Sequence, residues 1–260
     1  MRPFVLSIAG FDPSSGAGIT ADIKTFENLE VYGLGVCSAI TIQNDSEFTE
    51  SNWTDYDVIY KQIDVLLKKY KVDYVKIGLI ENLDILDKLI TEILRRKPGM
   101  KIIWDPILKA SSGFDFHDIL SEDLLVNILI NIYLITPNLQ EYEKLFTGID
   151  KNSDDLITMI AEADLCNVLL KGGHSGTAGS DDVLFEKTGR TVFKADRIAG
   201  IEKHGTGCVL SSAITALLAK KQDLKTACQD GKEYITEFIK SNQTALGYHN
   251  QYHYTEKDQA

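Results

Sequence analysis

The residues best suited to chemistry form the run His204-Gly205-Thr206-Gly207-Cys208, which opens directly into an amphipathic stretch from Val209. Two glycines let the backbone turn its N–H groups toward one point, and the following helix adds about half a positive charge at its N-terminus. Such a turn is an anion hole, suited to a phosphoryl group in flight. Cys208 falls in the first turn of that helix, where the same potential favours thiolate, so it is expected to serve as a base. Cys37, Cys166 and Cys228 lack this setting and read as small buried hydrophobes.

No GxxxxGK-type P-loop occurs in the chain, so phosphate must be bound in another way. Candidates follow the apolar runs in the middle of the sequence: Asp105, then Asn138 and Glu141, then Lys171-Gly172-Gly173-His174. A carboxylate can hold Mg²⁺ directly or through water, Lys171 can neutralise phosphate, and paired glycines allow close backbone approach. Near the N-terminus, Gly10 to Asp22 contains Gly16-Ala17-Gly18. A dinucleotide fingerprint is disfavoured there, because six residues separate the strand from the glycines and no acidic residue follows about 20 positions on. The readings left open are a tight turn with a helix cap, or a substrate loop with Asp22 facing the crevice.

The elements that must position these groups are short apolar strands alternating with amphipathic helices, the signature of βαβ units and a mostly parallel sheet. Strands are expected at 4–9, 35–43, 73–77, 101–105, 132–136 and 167–171. Ile19/Ile23/Phe26, Ile59/Ile63/Leu66/Leu67 and Leu83/Leu86/Ile90/Ile93 recur at helical spacing between them. The sequence therefore predicts an α/β fold with three layers, helices lying on both faces of the sheet. A hairpin is expected from 182–186 and 191–195 around the connection 187–190, then helices over 206–219 and 224–245 and a polar tail from Tyr248. Residues 1–260 read as a single domain. The Gly- and Ser-rich loop 175–181 could be a lid or a plain connection. His117, His249 and His253 read as loop or tail residues, and His174 and His204 as capping or packing groups.

Composition narrows the partners. The 260 residues carry a formal charge of −11, which leaves no cationic excess for a nucleic-acid backbone or an anionic membrane. No apolar run reaches the roughly 20 residues of a membrane span, and the run Phe4 to Ala9 lacks a signal-peptide pattern. Four scattered cysteines suggest neither disulfides nor zinc, so a reducing cytoplasm is the expected location.

Taken together, AGFDPSSGAGITAD at 9–22, QN at 43–44, KIG at 76–78, DP at 105–106, TPNLQE at 136–141, KGGH at 171–174 and HGTGC at 204–208 resemble the hydroxymethylpyrimidine/phosphomethylpyrimidine kinases. The resemblance implies a ribokinase-like fold, ATP and Mg²⁺ as cofactors, and two successive phosphorylations of 4-amino-5-hydroxymethyl-2-methylpyrimidine in thiamine biosynthesis. It implies that Gln43 reads the pyrimidine edge, with Gly10, Ala17, Asp22 and Leu79 around the ring. It makes Cys208 the catalytic base, with the N–H groups of Gly205, Thr206, Gly207 and Cys208 on the phosphoryl group. Asn138, Lys171 and Gly173 are implied at ATP, Asp105 and Glu141 at the metal, and the assembly as a homo-oligomer, a dimer first. An amide supports the Gln43 role on its own chemistry, since it pairs with a ring nitrogen and its exocyclic amine. Lys203, Val209 and Leu79 depart from the threonine, threonine and methionine common in the family. The alternatives are a pyridoxal kinase of the same fold and a pyrimidine-binding sensor without catalysis.

Overall fold

The computed structural model describes residues 1–108, 122–146, 153–172, 180–198, 200 and 202–249. Gly173, His174 and most of the 175–181 loop lie outside the described residues, as do His117 and His253. In chain order the elements are β1 (Phe4–Phe11), α1 (Gly18–Asn28), β2 (Tyr32–Gln43), β3 (Phe48–Trp53), α2 (Tyr56–Lys69), β4 (Val72–Ile77), α3 (Leu83–Arg96) and β5 (Lys101–Trp104). They continue as α4 (Glu122–Leu129), β6 (Leu134–Ile135), α5 (Leu139–Leu145), α6 (Ser153–Glu162), β7 (Asn167–Leu170), β8 (Asp182–Glu186), β9 (Gly189–Phe193), α7 (Thr206–Ala219) and α8 (Leu224–Lys240).

Strand side chains alternate between faces, and here both faces are apolar, so each strand feeds two cores. Leu6, Ile8, Val75, Ile77, Ile102, Trp104 and Val168 pack on one side with residues of α2, α3, α4 and α6. Their neighbours Val5, Tyr74, Ile103, Leu134 and Leu169 pack on the other with α1, α7 and α8. The result is the expected three-layer arrangement. The sheet runs β3-β2-β1-β4-β5-β6-β7-β8-β9, parallel from β2 to β7 and antiparallel at both margins. Every candidate loop except the α7 turn therefore leaves the carboxyl end of a parallel strand, where open α/β sheets bind ligands.

Several boundaries differ from expectation. β3 was not foreseen: its sequence, FTESNW, has no apolar alternation, and the reversal is made by Asn44, whose Oδ1 accepts the N–H groups of Ser46 and Glu47. The 132–136 strand shrinks to two residues, and the second strand of the β8–β9 hairpin begins at Gly189, with Glu186 opposite Gly189. α8 ends at Lys240 rather than 245, because the next residues form a turn in which Asn242 Oδ1 accepts from Thr244 N–H and the Asn242 amide donates to the Leu246 carbonyl.

That turn carries Tyr248 and His249 back onto the fold, so these two residues are not the free tail expected there. His249 Nδ1 sits 3.1 Å from the Tyr234 hydroxyl and its ring 4.9 Å from the Phe238 ring. Burial, with Lys24 nearby, pushes the imidazole down to about 4, so it is neutral in the fold. The unfolded imidazole titrates near 6.5. The stability this lends is thus complete above pH 6.5 and lost as pH falls toward 4. Melting curves followed by circular dichroism should show the midpoint falling across that window in wild type and falling less in His249→Phe; equal slopes would contradict the packing.

Candidate active site

The first loop is organised by Asp12, a buried carboxylate just past β1. It accepts from Ser14 N–H and Ser14 Oγ at 2.8 Å and from Ala17 N–H at 2.9 Å, and lies 2.9 Å from His204 Nε2. Burial acts to raise its carboxyl, but His204, Ser14 and the Ala17 N–H outweigh that, and the carboxyl stays below its ordinary value. His204 thereby ties the first loop to the turn before α7. At Gly205 (φ 75°) the two backbones nearly touch, since a Cβ there would stand 2.0 Å from the Gly16 carbonyl oxygen. Only glycine fits a left-handed residue in that contact.

The α7 ladder begins with Val209 N–H donating to the Gly205 carbonyl, so the N–H groups of Thr206, Gly207 and Cys208 precede it and have no helical acceptor. They are the candidate donors for an anion at this turn. Gly207 faces the phosphate candidates: a Cβ there would lie 3.3 Å from Lys171 Nζ and 3.7 Å from Asp105 Oδ2. A side chain at 207 would fill the gap between the helix end and the lysine.

Around Lys171 the sequence candidates converge. Its ammonium is 2.9 Å from Asp105 Oδ1 and 3.5 Å from Glu141 Oε2. Thr136 and Ser211 hydroxyls also donate to Asp105. Asn138 and Glu141 form a reciprocal capping box on α5, each side chain accepting from the other's backbone N–H at 2.8 and 2.7 Å. Burial acts to raise Asp105, yet Lys171 and Lys76 hold it below its ordinary range. Glu141 is raised, by burial first and by Asp105. Burial works against the Lys171 charge, but Asp105 and Glu141 prevail and it stays firmly protonated.

Could these carboxylates hold Mg²⁺? Among the described residues no three acidic, His or Cys side chains form a metal cage. Mg²⁺ typically takes only one or two protein carboxylates and completes its shell with water and phosphate oxygens. Asp105 and Glu141, two carboxylates on one ammonium beside the anion hole, fit that donor set.

The thiol departs from expectation. Cys208 is 6% exposed, and burial, reinforced by Asp105 and Asp22, pushes it up to about 11 despite Lys76 and the Gly18 N–H, which pull the other way. The expectation of a resting thiolate weighed the helix N-terminus alone. Asp22 also differs from its expected place on the crevice. It is sealed from solvent and accepts from Ser7 Oγ (2.6 Å), Ser212 Oγ (2.7 Å) and Lys76 Nζ (2.9 Å to both oxygens), which fills a carboxylate's four positions.

The ring candidates line the other end. Gly10 abuts Leu79, whose Cδ2 would stand 2.9 Å from a Cβ on Gly10. Gln43, half-buried at the end of β2, donates one amide hydrogen to Thr41 Oγ1 at 2.9 Å, and Thr41 donates to the Phe11 carbonyl. That leaves the amide oxygen and a second N–H for a ligand edge. Sequence reasoning gave no role to Asp12, Lys76, Thr136, Ser211 or Ser212. Lys76 left a signal: a lysine inside VDYVKI, an otherwise apolar strand, must have a buried partner.

Comparison with known proteins covers the same part of the chain. The sequence profile described as phosphomethylpyrimidine kinase matches residues 12–253. The chain belongs to the phosphomethylpyrimidine kinase family. A hydroxymethylpyrimidine/phosphomethylpyrimidine kinase of Aquifex aeolicus is 36% identical over 244 residues, covering 91% of this chain and 94% of that protein. Among solved structures, the phosphomethylpyrimidine kinase of Clostridium difficile 630 aligns with TM-score 0.74 at 33% identity, over 91% of this chain and 99% of that one. The Staphylococcus aureus pyridoxal kinase bound to ADP aligns with TM-score 0.81 at 25% identity, over 98% and 96%. Backbone likeness thus extends to both vitamin kinases, and the family's ribokinase-like fold is the one described above.

Proposed function

We propose that this chain phosphorylates 4-amino-5-hydroxymethyl-2-methylpyrimidine and then its monophosphate with ATP and Mg²⁺, in thiamine biosynthesis. The observation that carries the reading is the anion hole of α7, with Cys208 in its first turn and Lys171 beside Gly207. Members of the family named for this activity support the acceptor.

In this reading Gln43 pairs with the pyrimidine edge, and Gly10, Ala17 and Leu79 bound the ring. The acceptor hydroxyl points at Cys208. Its oxygen bonds to the γ-phosphorus as the bond from that phosphorus to the β-phosphate oxygen breaks, leaving ADP. The hydroxyl proton passes to Cys208 Sγ. In the second reaction a phosphate oxygen of the monophosphate attacks instead. The N–H groups of Thr206, Gly207 and Cys208 hold the transferring oxygens, and Lys171 neutralises charge between γ- and β-phosphate. Asp105 and Glu141 would hold Mg²⁺, which when bound offsets charge on the phosphate oxygens. Asn138 sets the loop that presents Glu141, and Gly173 is carried here from the KGGH run as an ATP contact. The carboxylate of Asp22 acts beneath the ring, through Lys76. The reading brings with it a cytoplasmic location and a homo-oligomer, a dimer first; Ile40 and Ile42, half-exposed on β2, offer an apolar face for it.

A pyridoxal kinase activity is the second reading, favoured by the structural likeness to the Staphylococcus aureus enzyme. ATP consumption measured separately with hydroxymethylpyrimidine, its monophosphate and pyridoxal separates them. The expected result is turnover of both pyrimidines with the higher kcat/KM; turnover of pyridoxal alone would overturn the proposal.

A further inference from the structure

Lys76 is a buried charge that touches none of the phosphate or ring groups placed above. It is the penultimate residue of β4, completely buried, and is among the largest fully buried side chains. Its ammonium is 2.9 Å from both oxygens of Asp22. A neutral side chain of the same length would pack in this position more cheaply, because an ion pair seldom recovers the desolvation of both its charges.

The geometry shows where that charge is directed. α1 and α7 meet in register: the Gly18 N–H acts on the Cys208 thiol, and one turn on in each helix Ser212 Oγ donates to Asp22 Oδ1 at 2.7 Å. Residues four apart share a helix face, so Sγ and the Asp22 carboxylate lie one turn apart along the same seam. Lys76 enters that seam from the sheet below. Its ammonium also lies 2.9 Å from where a Cβ would stand at Gly78, the first residue of the loop after β4. The charged groups acting on the thiol include Lys76 and Lys171, which favour thiolate, and Asp105 and Asp22, which oppose it.

We propose that Lys76 is a positioning residue for phosphoryl transfer: Asp22 and its serine partners fix the ammonium under Cys208, where it stabilises the negative charge Sγ bears before it takes the acceptor proton. The proposal rests on Cys208 being the base. Asp22 then has two opposed effects, orienting Lys76 and diluting its field. The pair therefore sets how readily the thiol ionises, while touching neither substrate.

The test is the pH dependence of Cys208 alkylation by iodoacetamide in the full chain without substrate, resolved from the other cysteines by peptide mass spectrometry. Asp22→Asn is expected to move the midpoint for Cys208 down by about 1 pH unit or more, and Lys76→Met to move it up by a similar amount. Shifts in the same direction, or none, would overturn the proposal. If Lys76→Met does not fold, the double variant Lys76→Met/Asp22→Asn, which leaves neither buried charge unpaired, takes its place: its midpoint should lie above that of Asp22→Asn, and equal midpoints would overturn the proposal. Steady-state kinetics supply a second readout: Lys76→Met should lower kcat at least tenfold while KM for the pyrimidine changes less than about threefold, whereas a purely structural loss would move both. Because alkylation needs no turnover, an incorrect acceptor assignment would leave the midpoints shifted and only the kinetics empty.

Discussion

Cys208→Ser is expected to lower kcat with hydroxymethylpyrimidine by about 100- to 10,000-fold, the range for removing a positioned general base. Loss of the N–H donors is not involved, since serine keeps the backbone of Gly205 to Cys208, so KM for ATP should change little. The wild-type pH profile follows from the same group. With the thiol pushed up to about 11, the thiolate is a small fraction at neutral pH and grows tenfold per unit toward that value. Activity limited by the base should therefore climb from pH 7 to pH 9.5, the steepest part lying above neutrality. Stability moves the other way. A cysteine thiol in the unfolded chain ionises near 8.5 but the folded one near 11, so the stabilising contribution is complete below 8.5 and is lost as pH rises through 11. A flat rate profile, or a serine variant of full activity, would remove Cys208 from the mechanism.

Lys171→Met is expected to lower kcat/KM for ATP by about 1000-fold or more, because it removes an ammonium that faces Gly207 and the anion hole. It should also destabilise the fold. The ammonium stands between Asp105 and Glu141 at 2.9 and 3.5 Å, and its loss leaves two buried carboxyls without the ammonium that pairs with them, a change that costs about 3–5 kcal/mol when neither can be neutralised. Glu141 already sits above its ordinary range, so it would take up a proton and reduce that cost. The double variant Lys171→Met/Asp105→Asn should regain much of the stability and none of the activity. Urea unfolding and steady-state assays on both variants separate the two effects; recovery of activity in the double variant would mean that Lys171 acts only as a structural counter-ion.

These expectations draw on parts of the molecule that the sequence reveals unequally. The βα rhythm was legible because each strand is an apolar run and each helix repeats apolar residues at three- and four-residue spacing. β3 was not, since a polar edge strand has no pattern of its own and exists by pairing with β2. The turn that ends α8 was hidden for a related reason: it is fixed by Lys203, whose ammonium donates to the Asn242 carbonyl and side chain from 39 residues away. The sequence marked Gly205 to Cys208, Asp105, Asn138, Glu141 and Lys171 as one group, and the structure brings them together because all but the first four leave neighbouring parallel strands. What it could not show was burial. A helix N-terminus favours thiolate, but a desolvated sulfur beside two carboxylates does not, and that balance depends on what α1 and β4 place around residue 208. Asp22 illustrates the same limit: its position in α1 suggested a crevice, whereas Lys76, 54 residues later, draws its carboxylate into the core.

The central claim is that this chain transfers the γ-phosphoryl group of ATP to a hydroxymethylpyrimidine. Phosphorus NMR of the purified protein with ATP, Mg²⁺ and 4-amino-5-hydroxymethyl-2-methylpyrimidine tests it most directly. A phosphomonoester signal is expected to appear as ADP forms and then to give way to the paired signals of a pyrophosphate ester. ADP and inorganic phosphate alone, or no change in the ATP signals, would contradict it.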